Sequence, residues 1–181
     1  MIVDVAVGEV RPGYELWRPN REKAGSVTTK FVLVLLLAAT SALAFLITIT
    51  GFSLLTGGGG MGIVCLIYAA LYAFFAFLVL RWNRGILPVA AALSMILAIF
   101  CATGADSWFA RDKTGFDEGL LPSPLIGLLV VILAILQLIL IAVALYAFNQ
   151  NWHVEEERPI GYGEDYGAGA SPDDSAPPLP A

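Results

Sequence analysis

The chain has 181 residues, of which 58% are hydrophobic and only 14% charged, with a formal net charge of -5. Soluble domains sit near about 45–50% apolar and about 25% charged, so this composition excludes an ordinary soluble enzyme. No segment is basic enough to track a phosphate backbone, which excludes nucleic acid as a partner.

In chain order, residues 1–28 read as a polar N-terminal arm, and the stretch through Lys30 carries five basic and four acidic residues. Fifty residues, 31–80, then pass without one charged side chain. A charge at the bilayer centre costs at least about 2.5–3.5 kcal/mol, so a run of this kind is what lipid selects for. A span needs about 20 apolar residues, so the run holds two. Gly57-Gly58-Gly59-Gly60 breaks it, because each Gly costs about 1 kcal/mol in a helix relative to Ala. The first span is expected over about 29–55 and the second over about 61–81. The first is too long, and follows too many polar residues, for a cleaved signal peptide, and is expected to be an uncleaved anchor.

Arg81-Trp82-Asn83-Arg84-Gly85 predicts a tight polar turn. A third span follows over about 86–104, with Pro88 tolerated in its first turn and Gly104 at its end. The loop 105–123 carries four acidic and two basic residues, and its Trp108, Phe109 and Phe116 are expected to lie at the bilayer interface. The fourth span runs over about 124–150. Residues 153–181 form an acidic, Gly/Pro-rich tail with too little apolar surface to offset its ordering entropy, and disorder is expected there from about 159 onward. The fold class is an all-α membrane protein: a four-span transmembrane helix bundle occupying 29–152, with a disordered cytoplasmic tail.

Lys and Arg in the flanks set orientation. With the N-terminus inside, eight basic residues face the cytoplasm, and only Arg111 and Lys113 face out. Both termini are therefore expected in the cytoplasm, with the chain in an inner (plasma) membrane. Seven Arg against three Lys, with abundant Ala and Gly, is the bias of a GC-rich bacterial genome.

Few residues carry chemistry. Cys65 lies 18 residues before Asn83 and Cys101 lies 18 after it, so on antiparallel helices both thiols sit at similar depth. They are the candidate disulfide, set against a reading as two small buried hydrophobes. Four-span thiol oxidoreductases are similar in outline but use closely spaced cysteine pairs, and this chain has no C-x-x-C. Asp112-Lys113-Thr114-Gly115 resembles the opening of the P-type ATPase phosphorylation motif. Phe116 replaces the next Thr, however, and the short loop has no room for the soluble domains of such pumps. Asp106, Asp112, Asp117 and Glu118 lack the EF-hand order and are interrupted by Arg111 and Lys113, so internal ion pairs are expected there, not a calcium site.

Gln137, midway along the fourth span, is the candidate intramembrane polar contact and is expected to face the bundle with Val130, Leu133, Leu140 and Ile141. Thr40, Ser41, Thr48, Thr50 and Ser94 are expected to bond carbonyls of their own helices. The alanines at 38, 39, 42, 69, 70, 73 and 76 read as sites of close helix approach. His153 has no partners for a metal, Trp17, Trp82 and Trp152 read as interfacial anchors, and Pro177-Pro178-Leu179-Pro180 reads as the end of the tail.

No cofactor is implied, and no catalytic or metal set is assigned. The function expected is a small non-enzymatic membrane protein, an accessory or scaffolding subunit of a larger assembly. Its partners are the lipid bilayer and either another membrane protein or further copies of itself. The alternatives are an oligomeric transport component using Gln137 and a thiol-active enzyme using Cys65 and Cys101.

Overall fold

The computed structural model of the chain describes residues 10, 13–52, 55, 60–111 and 120–160. It divides into two compact units, residues 20–153 and residues 1–19 with 154–181. In the first unit, helices α2 (Ala24–Gly51), α3 (Gly60–Leu80), α4 (Ile86–Phe109) and α5 (Ser123–Asn149) follow a four-residue helix, α1 (Pro19–Glu22), at the junction of the two. Among the described residues α2, α3, α4 and α5 are long and apolar enough to cross a membrane. The molecule is a four-span integral membrane protein built as a helix bundle.

The bundle is a ring. Helix α2 packs on α3 and α5, and α4 packs on α5, while α3 meets α4 only lightly. Large apolar side chains such as Phe31, Leu35, Phe74, Ile99 and Leu138 point outward, while the interior sets Ala69, Ala90, Ala144, Thr40, Ser94 and Gln137 among buried large residues such as Leu33, Leu37, Phe75 and Leu140. The apolar exterior suits lipid: tails solvate an outward Leu as well as a core would, and association rests on close packing and internal hydrogen bonds.

The helix bounds differ from expectation in three places. Helix α2 starts at Ala24, five residues before the expected position, and ends at Gly51, four before the expected end. Helix α4 continues through Gly104 to Phe109. A lone Gly weakens a helix by about 1 kcal/mol without ending it, and Trp108, only 6% exposed, repays the extension by packing inside the bundle. Trp108 is therefore a core residue and not the interfacial loop residue expected. Two glycines admit it. A Cβ at Gly51 would lie 2.6 Å from the Trp108 ring, and one at Gly127 would lie 3.1 Å from the Trp108 Cβ.

Helix α3 ends in a Schellman motif, with Asn83 N–H donating to the Leu78 carbonyl (3.1 Å) and Trp82 N–H to that of Val79 (2.9 Å). The left-handed position, usually Gly, is Trp82 at φ 61°. Its ring is held edge-on by Trp152, with centroids 5.3 Å apart, and the Lys30 ammonium sits 4.1 Å from its centre. Trp152 is fully buried, and its indole N–H donates to Gln150 Oε1 at 2.9 Å. It closes this end of the core and is not the lipid-facing anchor expected, because Asn151 at φ 51° turns the chain back over the helix ends.

In the second unit β1 (Tyr14–Trp17) pairs antiparallel with β2 (Glu156–Pro159). The acidic tail thus begins with an ordered strand, which ends where disorder is expected to begin. Backbone pairing supplies what side-chain burial cannot, helped by Arg158 Nε donating to Glu15 Oε1 at 2.6 Å and by the Arg158 guanidinium over the Trp17 ring. Residues 161–181, including the proline-rich end, lie outside the described residues, as do 1–9 and the glycines 57–59.

Candidate functional site

Midway through the bundle each spanning helix contributes one polar side chain to a single buried cluster. Tyr72 of α3 donates its hydroxyl hydrogen to Gln137 Oε1 of α5 at 3.0 Å. The same hydroxyl lies 3.1 Å from Ser94 Oγ of α4. Gln137 Nε2 donates to Thr40 Oγ1 of α2 and to its own helix at the Leu133 carbonyl, both at 3.2 Å. Gln137, Tyr72, Thr40 and Ser94 are all fully buried. Both amide hydrogens of Gln137 are engaged, so the cluster is a closed polar tie, and in hydrocarbon such a tie replaces groups that would otherwise stay unsatisfied.

The residues flanking Gln137 follow. Val130, Leu133 and Leu140 are buried, and Ile141 and Ala134 are half-buried. The small hydroxyls divide. Thr48 and Thr50 donate to the Ala44 and Leu46 carbonyls of their own helix, as expected. Ser41 donates across to the Ala69 carbonyl of α3 at 2.8 Å, and Thr40 and Ser94 bond other helices. Sequence reasoning missed Tyr72 as the hub. The available signal was its position among Ala69, Ala73 and Ala76, where only a long polar side chain can cross to the far helices.

One turn from this tie, a cavity of about 430 Å³ opens at the end of the bundle away from the 81–85 turn. Both thiols line it: Cys101 is buried, Cys65 is half-buried, and both are free. Equal offsets from the turn thus bring the cysteines to one space, but α3 and α4 diverge there and no bridge joins them. The floor is Leu97, Val130 and Leu133; Trp108 and Arg111 close the far end. The Arg111 guanidinium lies 5.0 Å from the Trp108 ring centre, and its Nη1 is buried with no hydrogen-bond partner among the described residues.

The opposite end is cationic. Arg84 Nε donates to the Phe148 carbonyl at 2.8 Å, and its Nη1 lies 2.9 Å from His153 Nδ1. Arg21 Nε donates to the Trp152 carbonyl at 3.0 Å. Arg84 thereby caps the α5 terminus, and the lone histidine sits against its guanidinium. Among the described residues no group of three His, Cys, Asp or Glu converges as a metal site. Asp106 lies on α4, while Asp112, Asp117 and Glu118, with the P-type-like tetrapeptide and Phe116, lie outside the described residues.

On the outer surface, α2 and α3 leave a shallow groove of about 610 Å³ walled by Ala38, Ala42, Ala70 and Ala73 and edged by Phe45 and Leu66. All four of these alanines are exposed. No protein-family model, curated protein or solved structure matches this chain.

Proposed function

We propose that the protein is a non-enzymatic accessory or scaffolding subunit that receives a transmembrane helix of a larger membrane assembly against the α2–α3 groove. The observation carrying this reading is the exposed alanine-walled concavity. Lipid provides no hydrophobic force between helices, so partners meet where small side chains let backbones approach. Here the small residues are spread over two helices and are not consumed by contacts inside the bundle. The proposed setting is an inner (plasma) membrane with both termini cytoplasmic, supported by Arg21, Lys23, Lys30, Arg81 and Arg84 in the flanks of α2, α3 and α4.

The transport alternative draws no support from Gln137, whose hydrogens are committed to Thr40 and Leu133. The test is purification from native membranes in mild detergent, beside Ala42→Phe and Ala73→Phe variants that fill the groove. A stoichiometric partner helix, cross-linked to the groove and lost in both variants, is the expected result. A chain that runs alone, or a partner retained by both filled variants, overturns the reading.

A further inference from the structure

The cavity at the diverging ends of α3 and α4 is not explained by packing. Its lining is apolar along most of its length, and Met61, Val64 and Phe100 line it while also lying exposed on the outer surface. It therefore opens sideways, toward lipid, through the gap left where α3 and α4 make little contact. At its far end lies the one strongly polar feature, the Arg111 guanidinium, with a buried Nη1 that meets no acceptor among the described residues. A buried N–H left without an acceptor is costly, and the guanidinium fork matches the oxygens of a carboxylate or a phosphate.

We infer that this cavity binds a single-chain amphiphile of the fatty-acid type, with its carboxylate on Arg111 and its chain running past Trp108 and Cys101 toward Leu97. Size supports one chain. At roughly 30 Å³ for a water-sized group, about 430 Å³ holds about fourteen such groups, enough for one medium acyl chain but not the two of a bilayer phospholipid. The volume also falls inside the range of about 300–1,000 Å³ seen for small-molecule sites, which pair apolar walls with a few placed polar groups. The thiols act here as soft apolar lining. This inference is independent of the α2–α3 groove, which lies on a different face.

Gly104 supplies the discriminating variant. It lines the cavity, and a Cβ built there meets nothing within 4 Å, so Gly104→Leu starts a side chain from open space beside the cavity and raises helix propensity. The full chain in phosphatidylcholine vesicles is titrated with brominated dodecanoate, whose bromine quenches tryptophan on contact. Trp108 lines the cavity, whereas Trp82 and Trp152 meet edge-on at the arginine-rich end of the bundle.

The expected result is saturable quenching that unlabelled dodecanoate competes away and that Trp108→Phe removes. Gly104→Leu should lower the affinity at least tenfold, as should Arg111→Gln, and dodecanol should compete at least tenfold more weakly than the acid. Quenching unchanged by Gly104→Leu would place the probe in bulk lipid and overturn the site. Unchanged affinity in Arg111→Gln would overturn the carboxylate pairing and assign the guanidinium to the acidic loop residues. A two-chain phospholipid retained in stoichiometric amount by the purified protein, and lost in Gly104→Leu, would overturn the single-chain assignment.

Discussion

Tyr72 and Gln137 join helices that do not pack against each other. Helices α3 and α5 lie across the ring, and the 3.0 Å bond from the Tyr72 hydroxyl to Gln137 Oε1 spans its interior. Breaking it leaves a buried amide oxygen short of a donor. Interhelical bonds in membranes average about 0.6 kcal/mol and reach about 1.7, so Tyr72→Phe and Gln137→Leu should each destabilise the bundle by about 1–2 kcal/mol. A double-mutant cycle in SDS unfolding should return a coupling of about 0.5–1.5 kcal/mol. Additive effects would show that the bond contributes nothing to stability.

Trp108 should be hard to replace at the end of the bundle where α4 terminates. Gly51 faces its ring at a distance that leaves no room for a Cβ. Gly51→Val should therefore cost about 1–3 kcal/mol through overpacking, and Trp108→Ala about 3–5 kcal/mol through the void left behind. Thermal aggregation midpoints in detergent provide the check, and a neutral Gly51→Val would mean that α2 and α4 are free to separate.

The two tryptophans at the other end should respond unequally. Trp152 is fully buried, so Trp152→Ala should cost about 3–5 kcal/mol. Trp82→Gly gives up the edge-on contact and the Lys30 cation–π pair but relieves a left-handed residue, worth about 1–2 kcal/mol. Its net cost should be the smaller of the two. Equal losses by SDS titration would show that the φ 61° geometry at Trp82 stores no strain.

Cys65 and Cys101 should both be titrated by a membrane-permeant maleimide without prior reduction, Cys65 first, since it is the more exposed of the two free thiols. A gel shift of two adducts is expected. Modification only after reduction would demonstrate a bridge and a different pairing of α3 with α4.

A reporter fused after Ala181 should be active only in the cytoplasm, given four spans and the cationic end that holds Arg21, Lys30, Arg81 and Arg84. Activity on the other side would invert the proposed orientation.

The four spans were legible in the sequence because a bilayer imposes a length and a charge filter that act locally: runs free of Asp, Glu, Lys and Arg, broken at Gly57–Gly60 and Arg81–Gly85. The inward turn of Gln137 was legible for the same reason, since an amide has nowhere else to go in hydrocarbon. Which helices touch was not. Sequence neighbours α3 and α4 part beyond their shared turn, while α4 and α5, separated by a long loop, pack along their length. In lipid every outward face is equally apolar, so no hydrophobic stripe announces a partner, and the choice falls to small-residue fit and to a few crossing bonds. Tertiary structure alone made Tyr72 the hub, moved Trp108 and Trp152 into the core, paired β1 with β2, and opened the space that gathers Cys65, Cys101 and Arg111. Each depends on residues far apart in the chain meeting at van der Waals distance, which periodicity and composition do not encode.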